Sequence, residues 1–160
     1  MKSFMVDSSV IIEHLKGNPK AMAILELLVE YDARGCINDV VASEVIFVYL
    51  KRITGRSYLT LKKEKELVKR AEKIPLYELL EEFRFLDVNE FVFEEAKRIM
   101  DEHGLLPNDA IILATAKFYR CSALITLDSD FIDACEKEGV KPITSLETLK
   151  NELKEGKEGE

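Results

Sequence analysis

The sequence has no apolar stretch long enough to cross a membrane. Nowhere in its 160 residues does it approach the roughly eighteen consecutive apolar residues that a membrane-spanning helix needs. Asp7 interrupts the N-terminal apolar run before that run could serve as a signal peptide. We therefore expect a cytoplasmic protein with no membrane partner.

Cysteine is scarce and glutamine is absent. The three cysteines, Cys36, Cys121 and Cys135, are odd in number and form no C-x-x-C pair. That pattern favours buried thiols in a reducing compartment over disulfides or a zinc site. The lack of glutamine beside many Lys and Glu residues is typical of heat-adapted proteins, which we keep as a hypothesis.

The length and composition of the chain indicate one ordinary globular domain. Hydrophobic residues make up 47% and charged residues 33% of the sequence. Residues 1–150 are enough for a single domain with its own core. Residues 151–160 are charged and contain glycine, so we expect them to form a frayed tail.

Short apolar runs alternate with patterns that predict helices. The strand candidates are residues 3–6, 36–37, 85–88, 123–126 and 141–143. Strands that are apolar throughout are typical of a parallel sheet covered on both faces. We therefore predict a three-layer α/β/α fold with a mainly parallel central sheet and a helical arm around residues 39–83.

Several acids stand where predicted strands or helices begin or end. Asp7 follows the first strand candidate, Asp109 opens an apolar helix, and Asp128 and Asp130 follow the strand at 123–126. In parallel α/β sheets, ligands bind beyond the carboxyl ends of the strands. Each acid also has an ordinary explanation: a helix cap for Asp7, a favourable helix-start charge for Asp109, and an Asx-turn with an N-cap for the last pair.

Glu44 projects from an apolar helix face, because its neighbours at i−4, i−3 and i+4 are all valines. A buried, unpaired carboxylate is costly unless it is neutralised or bound to a cation. The alternative is a partial salt bridge to Lys51 or Arg52.

Together the acids suggest a metal site. Four carboxylates (Asp7, Glu44, Asp109 and Asp128) with no obvious cationic partner would repel one another at one sheet edge. Mg²⁺ or Mn²⁺ takes oxygen ligands and leaves positions open for phosphate, which suits phosphodiester hydrolysis with one or two metals. His14 and His103 lie on helix faces and are expected to be structural. Ser8 and Ser9 have no matched histidine for a serine nucleophile.

The basic residues are concentrated in one segment. Residues 51–73 carry nine basic and three acidic residues, a local balance of +6, although the whole chain has a net charge of −7. The ordinary explanation is a solvated helix with i, i+4 pairs such as Glu66 with Arg70. Beside an acidic centre, the same segment is a candidate for binding RNA phosphates.

The chain resembles a PIN domain, specifically the VapC-like ribonuclease toxins of prokaryotes. The resemblance covers residues 3–143 and rests on four stretches in order: VDSSVII with Asp7, VVASEVI with Glu44, LPNDAIILATA with Asp109, and LITLDSDF with Asp128. Each stretch is short, and their order makes the match specific.

The resemblance implies a metal-dependent endoribonuclease within residues 1–150. The four acids would hold Mg²⁺ or Mn²⁺ and orient the attacking water, with Asp130 as another candidate ligand and Ser9 and Thr126 supporting the site. It also implies a homodimer and a cognate antitoxin that blocks the RNA groove. The residues we expect to contact RNA are Arg52, Arg56, Lys62 and Lys63.

Other functions remain open at this point. PIN domains also act in RNA processing and ribosome maturation, and a non-catalytic RNA-binding module would keep the same fold. A phosphoaspartate phosphatase needs a second Asp two residues after Asp7, where this chain has Ser9. A phospho-receiver domain needs a second acid adjacent to Asp7 and a lysine after its last strand, and Lys141 precedes the last strand candidate.

Overall fold

A five-stranded parallel sheet organises the computed structural model, which describes residues 1–158. The strands are β1 (Ser3–Val6), β2 (Arg34–Ile37), β3 (Arg84–Phe85), β4 (Ala123–Ile125) and β5 (Pro142–Ile143). The helices are α1 (Ser8–Leu15), α2 (Pro19–Glu30), α3 (Asp39–Thr54), α4 (Tyr58–Lys63), α5 (Lys65–Arg70), α6 (Ile74–Glu81), α7 (Glu90–His103), α8 (Pro107–Phe118), α9 (Phe131–Lys137) and α10 (Leu146–Glu158). The predicted α/β/α fold is confirmed. Within residues 1–158, no helix has the length and apolarity to span a bilayer.

Strand β1 lies at the centre of the sheet. The order is β3-β2-β1-β4-β5, so the chain first builds one side of β1 and then the other. Met5 is in register with Cys36 of β2 and with Leu124 of β4, and it is fully buried. The reversal of strand order beside β1 opens a crevice beyond the carboxyl ends of β1 and β4, the place where such sheets bind ligands.

Local signals set several helix ends as the sequence predicts. The side chains of Asn18, Asn38 and Asn89 accept hydrogen bonds from backbone amides in the first turns of α2, α3 and α7. Gly55 and Gly104 end α3 and α7 with φ of 66° and 70°, which glycine adopts at little cost. Helix α3 therefore begins directly after β2 and carries Glu44 in its second turn.

Helix α8 is apolar nearly all round. Its buried residues include Ile112 and Leu113, and Thr115 is the hydroxyl among them. It packs against β1 and β4 and also against α3 and α7. Because tertiary contacts hold this helix on several sides, its first turn, with Asp109, is fixed near the carboxyl ends of the strands.

The basic segment forms two short helices, whereas the expectation was one solvated helix. Helix α4 is capped by Ser57, whose hydroxyl accepts from the Thr60 amide, and the chain leaves helical geometry at Glu64 before α5. Residues 62–66 are all charged, so no buried side chain stabilises a continuous helix there.

The expected frayed tail from residue 151 is wrong for the part of the tail that the structure describes. Helix α10 continues to Glu158 and buries Leu149 and Leu153. The carboxylate of Glu152 pairs with Lys2 at 2.9 Å and Lys141 at 2.6 Å, which ties the helix to the sheet edge. Residues 159–160 lie outside the described residues.

Candidate active site

Asp7 occupies the N-cap position of α1 but makes no capping hydrogen bond with its side chain. The residue is 3% exposed, and its Oδ2 accepts hydrogen bonds from Ser9 Oγ at 2.6 Å and Thr126 Oγ1 at 2.9 Å. The ordinary capping role therefore does not describe this carboxylate. Two hydroxyls, one from α1 and one from the end of β4, fix it at the central strand.

The same two hydroxyls also hold the loop after β4 beside Asp7. Ser9 Oγ accepts from the Leu127 amide at 3.0 Å, and Thr126 Oγ1 accepts from the Asp128 amide at 3.0 Å. A hydroxyl that accepts from an amide keeps its single proton for another acceptor, here Asp7. Ser9 and Thr126 thus orient Asp7 and also position the turn that carries Asp128.

The side chain of Glu44 approaches Asp7 from α3. Ser8 Oγ lies 3.3 Å from Glu44 Oε1 and 3.4 Å from Asp7 Oδ1, so one hydroxyl spans the two acids. The side chain of Asn108, in the first turn of α8, lies close enough to Glu44 to lower the pKa of that carboxyl. Three helices, α1, α3 and α8, therefore meet at these carboxylates.

No cation neutralises Glu44. Among the ion pairs of residues 1–158 none engages Glu44, so the alternative of a salt bridge to Lys51 or Arg52 is not realised. Burial, and then the charge of Asp7, raises the pKa of Glu44, while hydrogen bonds from neighbouring side chains oppose the shift. The carboxylate is held in a site that disfavours its charge.

Asp109 experiences the charge of the other four acids. Burial raises its pKa to about 6, and the negative charges that add to the shift belong to Asp7, Asp128, Glu44 and Asp130. A shift of this kind requires the charges to be close and poorly screened. The structure thus brings the five predicted acids into one electrostatic group.

Asp128 and Asp130 form the Asx-turn that the sequence allows as an ordinary role. Asp128 Oδ1 accepts from the Asp130 amide at 2.9 Å, and Asp130 stands exposed at the N-cap of α9 without a capping bond from its side chain. The turn uses one carboxylate oxygen of Asp128, Oδ1, and leaves Oδ2 for a cation. Asp128 can therefore hold the turn and also act as a metal ligand.

The predicted RNA-binding cations follow Glu44 in the chain, from the second half of α3 to the end of α4. Four are exposed and, within residues 1–158, take part in no ion pair: Arg52, Arg56, Lys62 and Lys63. By contrast, Lys69 and Arg70 contact Glu66 at 3.0 and 4.0 Å. The ordinary explanation holds for α5, whereas the first part of the basic segment keeps its charge unpaired.

A second acidic group lies on α7 and α9. Ligand atoms of Glu102, His103 and Glu138 fall within 4.8 Å of one another. However, Arg98 contacts Glu138 closely, and Lys117 Nζ lies 3.5 Å from its Oε2. A metal ion there would compete with two cations already in place, so this group does not fit a metal site.

The donor chemistry around Asp7 fits a hard divalent cation. The available ligands are carboxylate oxygens and the Asn108 amide, the donor types that Mg²⁺ and Mn²⁺ prefer. A soft ligand is not available, because burial, and then the charge of Asp7, raises the pKa of the Cys135 thiol to about 12. A bound cation would relieve the repulsion that raises the pKa of Asp109.

Sequence reasoning did not assign Ser8 or Asn108 to the site. Both stand next to predicted acids in the chain, Ser8 after Asp7 and Asn108 before Asp109. That adjacency is the one signal that was available for them. Their shared contact with Glu44 depends on how α1, α3 and α8 pack.

Comparison with known proteins gives clear relatives. A family model described as PIN domain matches residues 4–137. Ribonuclease VapC2 of Methanocaldococcus jannaschii is 34% identical over 125 residues, covering 78% of this chain and 84% of the relative. Ribonuclease VapC6 of the same organism is 36% identical over 137 residues, covering 79% and 88%.

Solved structures share the fold at lower identity. A toxin-antitoxin complex from Klebsiella pneumoniae aligns with a TM-score of 0.55 at 23% identity, over 79% of this chain and 88% of that chain. DNA-bound VapBC from Salmonella typhimurium aligns with a TM-score of 0.60 at 18% identity, over 89% and 97%. At these identities the likeness establishes the architecture alone.

Proposed function

The chain belongs to the PIN domain family, and we propose that it is a metal-dependent endoribonuclease of the VapC type, the toxin of a toxin-antitoxin pair. One observation carries the proposal: five carboxylates gather beyond the carboxyl ends of β1 and β4 and form no ion pair with any cation of residues 1–158. The names of the two relatives, Ribonuclease VapC2 and Ribonuclease VapC6, support RNA as the substrate.

The residues proposed to hold Mg²⁺ or Mn²⁺ are Asp7, Glu44, Asp109, Asp128 and Asp130. When bound, such an ion lowers the pKa of water and neutralises charge on a phosphodiester. The side chains present supply the oxygen ligands for it.

The protein's own groups prepare this site in three ways. Ser9 and Thr126 hold Asp7 in one orientation. Ser8 donates a hydrogen bond to Glu44, and the nearby Asn108 side chain favours the charged form of that carboxylate. Because its pKa is about 6, Asp109 is largely ionised at neutral pH, and only at more acidic pH must it lose a proton before it can act as a ligand. Catalysis by water attack then needs no serine, cysteine or histidine nucleophile.

The partners follow from the same family membership. We propose RNA as the substrate, bound beside Arg52, Arg56, Lys62 and Lys63 and cleaved in the cytoplasm. We also propose a homodimer and a cognate antitoxin, which the toxin-antitoxin complex from Klebsiella pneumoniae supports by its shared fold. One nuclease domain, extended by α10, is the proposed functional unit.

Cleavage of a mixed RNA pool tests the proposal. The parent protein should cut RNA with Mg²⁺ or Mn²⁺ and stop when EDTA is added. Asp7→Asn keeps the shape of the side chain but removes its charge, so cleavage should fall by at least about 100-fold. Asp101→Asn, at an exposed position on α7, is the matched control and should cleave like the parent. Equal cleavage by all three proteins would reject the assignment.

Toxin status needs a cellular measurement. Expression should arrest growth, Asp7→Asn should relieve the arrest, and co-expression of a small neighbouring gene should protect the cells. Cleavage in the test tube without growth arrest would instead favour an RNA-processing enzyme.

A further inference from the structure

Two of the three cysteines lie close together in the fold. Cys36 stands on β2 and is fully buried, whereas Cys121 lies in the turn between α8 and β4 and is partly exposed. Both are free thiols. Cys121 packs against the hydrophobic core that contains Cys36, and each side chain is near enough to shift the pKa of the other. The two thiols therefore form a pair with one buried and one accessible member.

The register of the strands explains how the pair forms. Cys36 of β2 pairs with Met5 of β1, so its side chain and that of Ser3 point to the same face of the sheet. The Ser3 carbonyl accepts a hydrogen bond from the Ser122 amide at 2.7 Å, which places the residue just after Cys121 beside Ser3. Helix α8, which ends just before this turn, packs against β1 and β4. The chain thus returns to the sheet one strand away from β2.

The surroundings of Cys36 are positively charged. Arg84 of β3 is in register with Cys36, and Arg34 precedes it by two residues on β2, so strand alternation places both arginines on its face. Both are exposed, and no ion pair within residues 1–158 includes them. The neighbouring Cys121 thiol lowers the pKa of Cys36, and the charges of the two arginines add to that shift against the effect of burial. Thiolate character in an electropositive setting makes a cysteine reactive.

The third cysteine has none of these properties. Cys135 is fully buried, and burial, followed by the charge of Asp7, raises the pKa of its thiol to about 12. A buried thiol of this kind is inert. Cys135 therefore serves as an internal control for the pair.

We propose that Cys36 and Cys121 form an oxidation site, at which a hydroperoxide converts the two thiols into a disulfide that joins β2 to the start of β4. The inference is independent of the proposed nuclease function. In a reducing compartment the pair rests as two thiols, the form seen in the structure, and the bond forms when an oxidant arrives.

The exposed member of the pair meets the oxidant first. The proton of Cys121 passes to the Cys36 thiolate, and the Cys121 sulfur attacks the O–O bond of hydrogen peroxide, which gives a sulfenic acid and releases hydroxide. The Cys36 sulfur then attacks the Cys121 sulfur: the S–S bond forms, the S–O bond breaks, and the Cys36 proton leaves with the hydroxyl group as water. The two sulfurs lose one electron pair, which reduces the peroxide to hydroxide and water.

Peptide mapping tests the site. The folded protein is treated with hydrogen peroxide at neutral pH, and the remaining thiols are then alkylated in urea. We expect two peptides joined through Cys36 and Cys121, with Cys135 alkylated, so that the three free thiols fall to one. Dithiothreitol should restore all three. Cys135→Ser should form the same bond, whereas Cys121→Ser lacks the partner thiol and should keep its Cys36 open to alkylation.

Stability gives the second measurement. A bond between residues that are distant in the sequence restricts the unfolded chain, so the oxidised parent should unfold at a higher urea concentration than the reduced parent. Cys121→Ser should show the same urea midpoint before and after peroxide treatment. Neither measurement uses RNA, so both are independent of nuclease activity.

Several results would overturn the assignment. They are the retention of all three thiols after peroxide treatment, and linkage between two protein molecules instead of within one. Equal loss of the Cys36 thiol in Cys121→Ser would show that the pair is not needed. A linked peptide that forms only when peroxide is added in urea, or a urea midpoint that falls on oxidation, would show that the folded sheet does not accommodate the bond.

Discussion

Two acidic groups in this protein are built from the same residue types in opposite ways. At the carboxyl edge of the sheet, hydroxyls hold the carboxylates, and within the described part of the chain no cation forms an ion pair with them. The second group lies between α7, α8 and the end of α9, where the side chains of Arg98 and Lys117 form ion pairs with Glu95 and Glu138. The first group therefore concentrates negative charge, whereas in the second group Arg98 and Lys117 neutralise the charge of the carboxylates.

The pKa values follow this difference. Burial and neighbouring acids raise the pKa of Asp109 to about 6. Hydrogen bonds from Arg98, then Lys117, lower the pKa of Glu95 to about 2. For Glu138, burial alone would raise the pKa, yet the contacts with Arg98 and Lys117 lower it on balance. A site that raises the pKa of both Glu44 and Asp109 is poised for a ligand, whereas the paired group stabilises the fold.

The largest expected difference between the groups is in catalysis. Asp109→Asn should reduce RNA cleavage by at least about 100-fold, which corresponds to about 2.7 kcal/mol, since it removes a proposed metal ligand. Glu95→Gln should cleave within about twofold of the parent. Initial rates on one RNA with Mn²⁺ provide the measurement, and similar losses in both variants would remove the functional distinction.

Metal binding should separate the groups next. At a concentration of Mn²⁺ about 100 times its Kd, the free energy of unfolding of the parent should rise by about 2.7 kcal/mol relative to EDTA. Asp109→Asn should lose most of this gain and Glu138→Gln should keep it. Urea unfolding with and without metal measures both, and a gain that survives in Asp109→Asn would place the ion elsewhere.

Stability without metal should depend on the paired group. Glu138→Gln removes the negative charge and one of the two acceptor oxygens that face Arg98 and Lys117, from a side chain that is 6% exposed, so it should cost about 1.5 to 2 kcal/mol. Asp109→Asn should be neutral or stabilising because it relieves repulsion. Urea unfolding in EDTA tests both, and a cost below about 0.5 kcal/mol for Glu138→Gln would equate the pair with a surface salt bridge.

The smallest expected effect is a pH dependence with opposite signs. Because the pKa of folded Asp109 is about 6, above its unfolded value, stability in EDTA should fall as pH rises from about 4 to 6. The full shift would give about 2 kcal/mol, and solvent screening of this half-buried side chain reduces the expected fall to about 1 kcal/mol. Glu95 contributes stability above its unfolded pKa that is lost as pH falls toward about 2. Asp109→Asn should flatten the decline above pH 4, and an unchanged slope would contradict the assigned pKa.

Much of the fold was predictable because its signals are local. Ser3–Val6 forms a strand that ends at Asp7, as expected, and Asn18, Asn38 and Asn89 cap the helices that follow them in the chain. The break at Glu64 and the extended α10 were not predicted. Both depend on whether side chains find tertiary partners: the charged residues 62–66 bury none, whereas Leu149 and Leu153 of α10 do.

The candidate site divides in the same way. The acids could be named from the sequence because each stands beside a strand or at a helix start, and their order carried the family resemblance. The contact of Ser8 with Glu44 spans 36 residues, and the contact of Thr126 with Asp7 spans 119. Sequence patterns do not predict such pairs, because the pairs depend on how helices and strands pack.

The sequence by itself determined that Asp7 ends a buried strand and begins a helix, since strand and helix periodicities are written in neighbouring residues. Only the tertiary structure decided what its carboxylate does. An N-cap side chain must turn back to the amides of its own helix, whereas Asp7 accepts from Ser9 and Thr126 instead. The Thr126 hydroxyl, at the end of β4, can bind the Asp7 carboxylate only after β1 and β4 have paired. That pairing makes a possible helix-capping residue part of an acidic site.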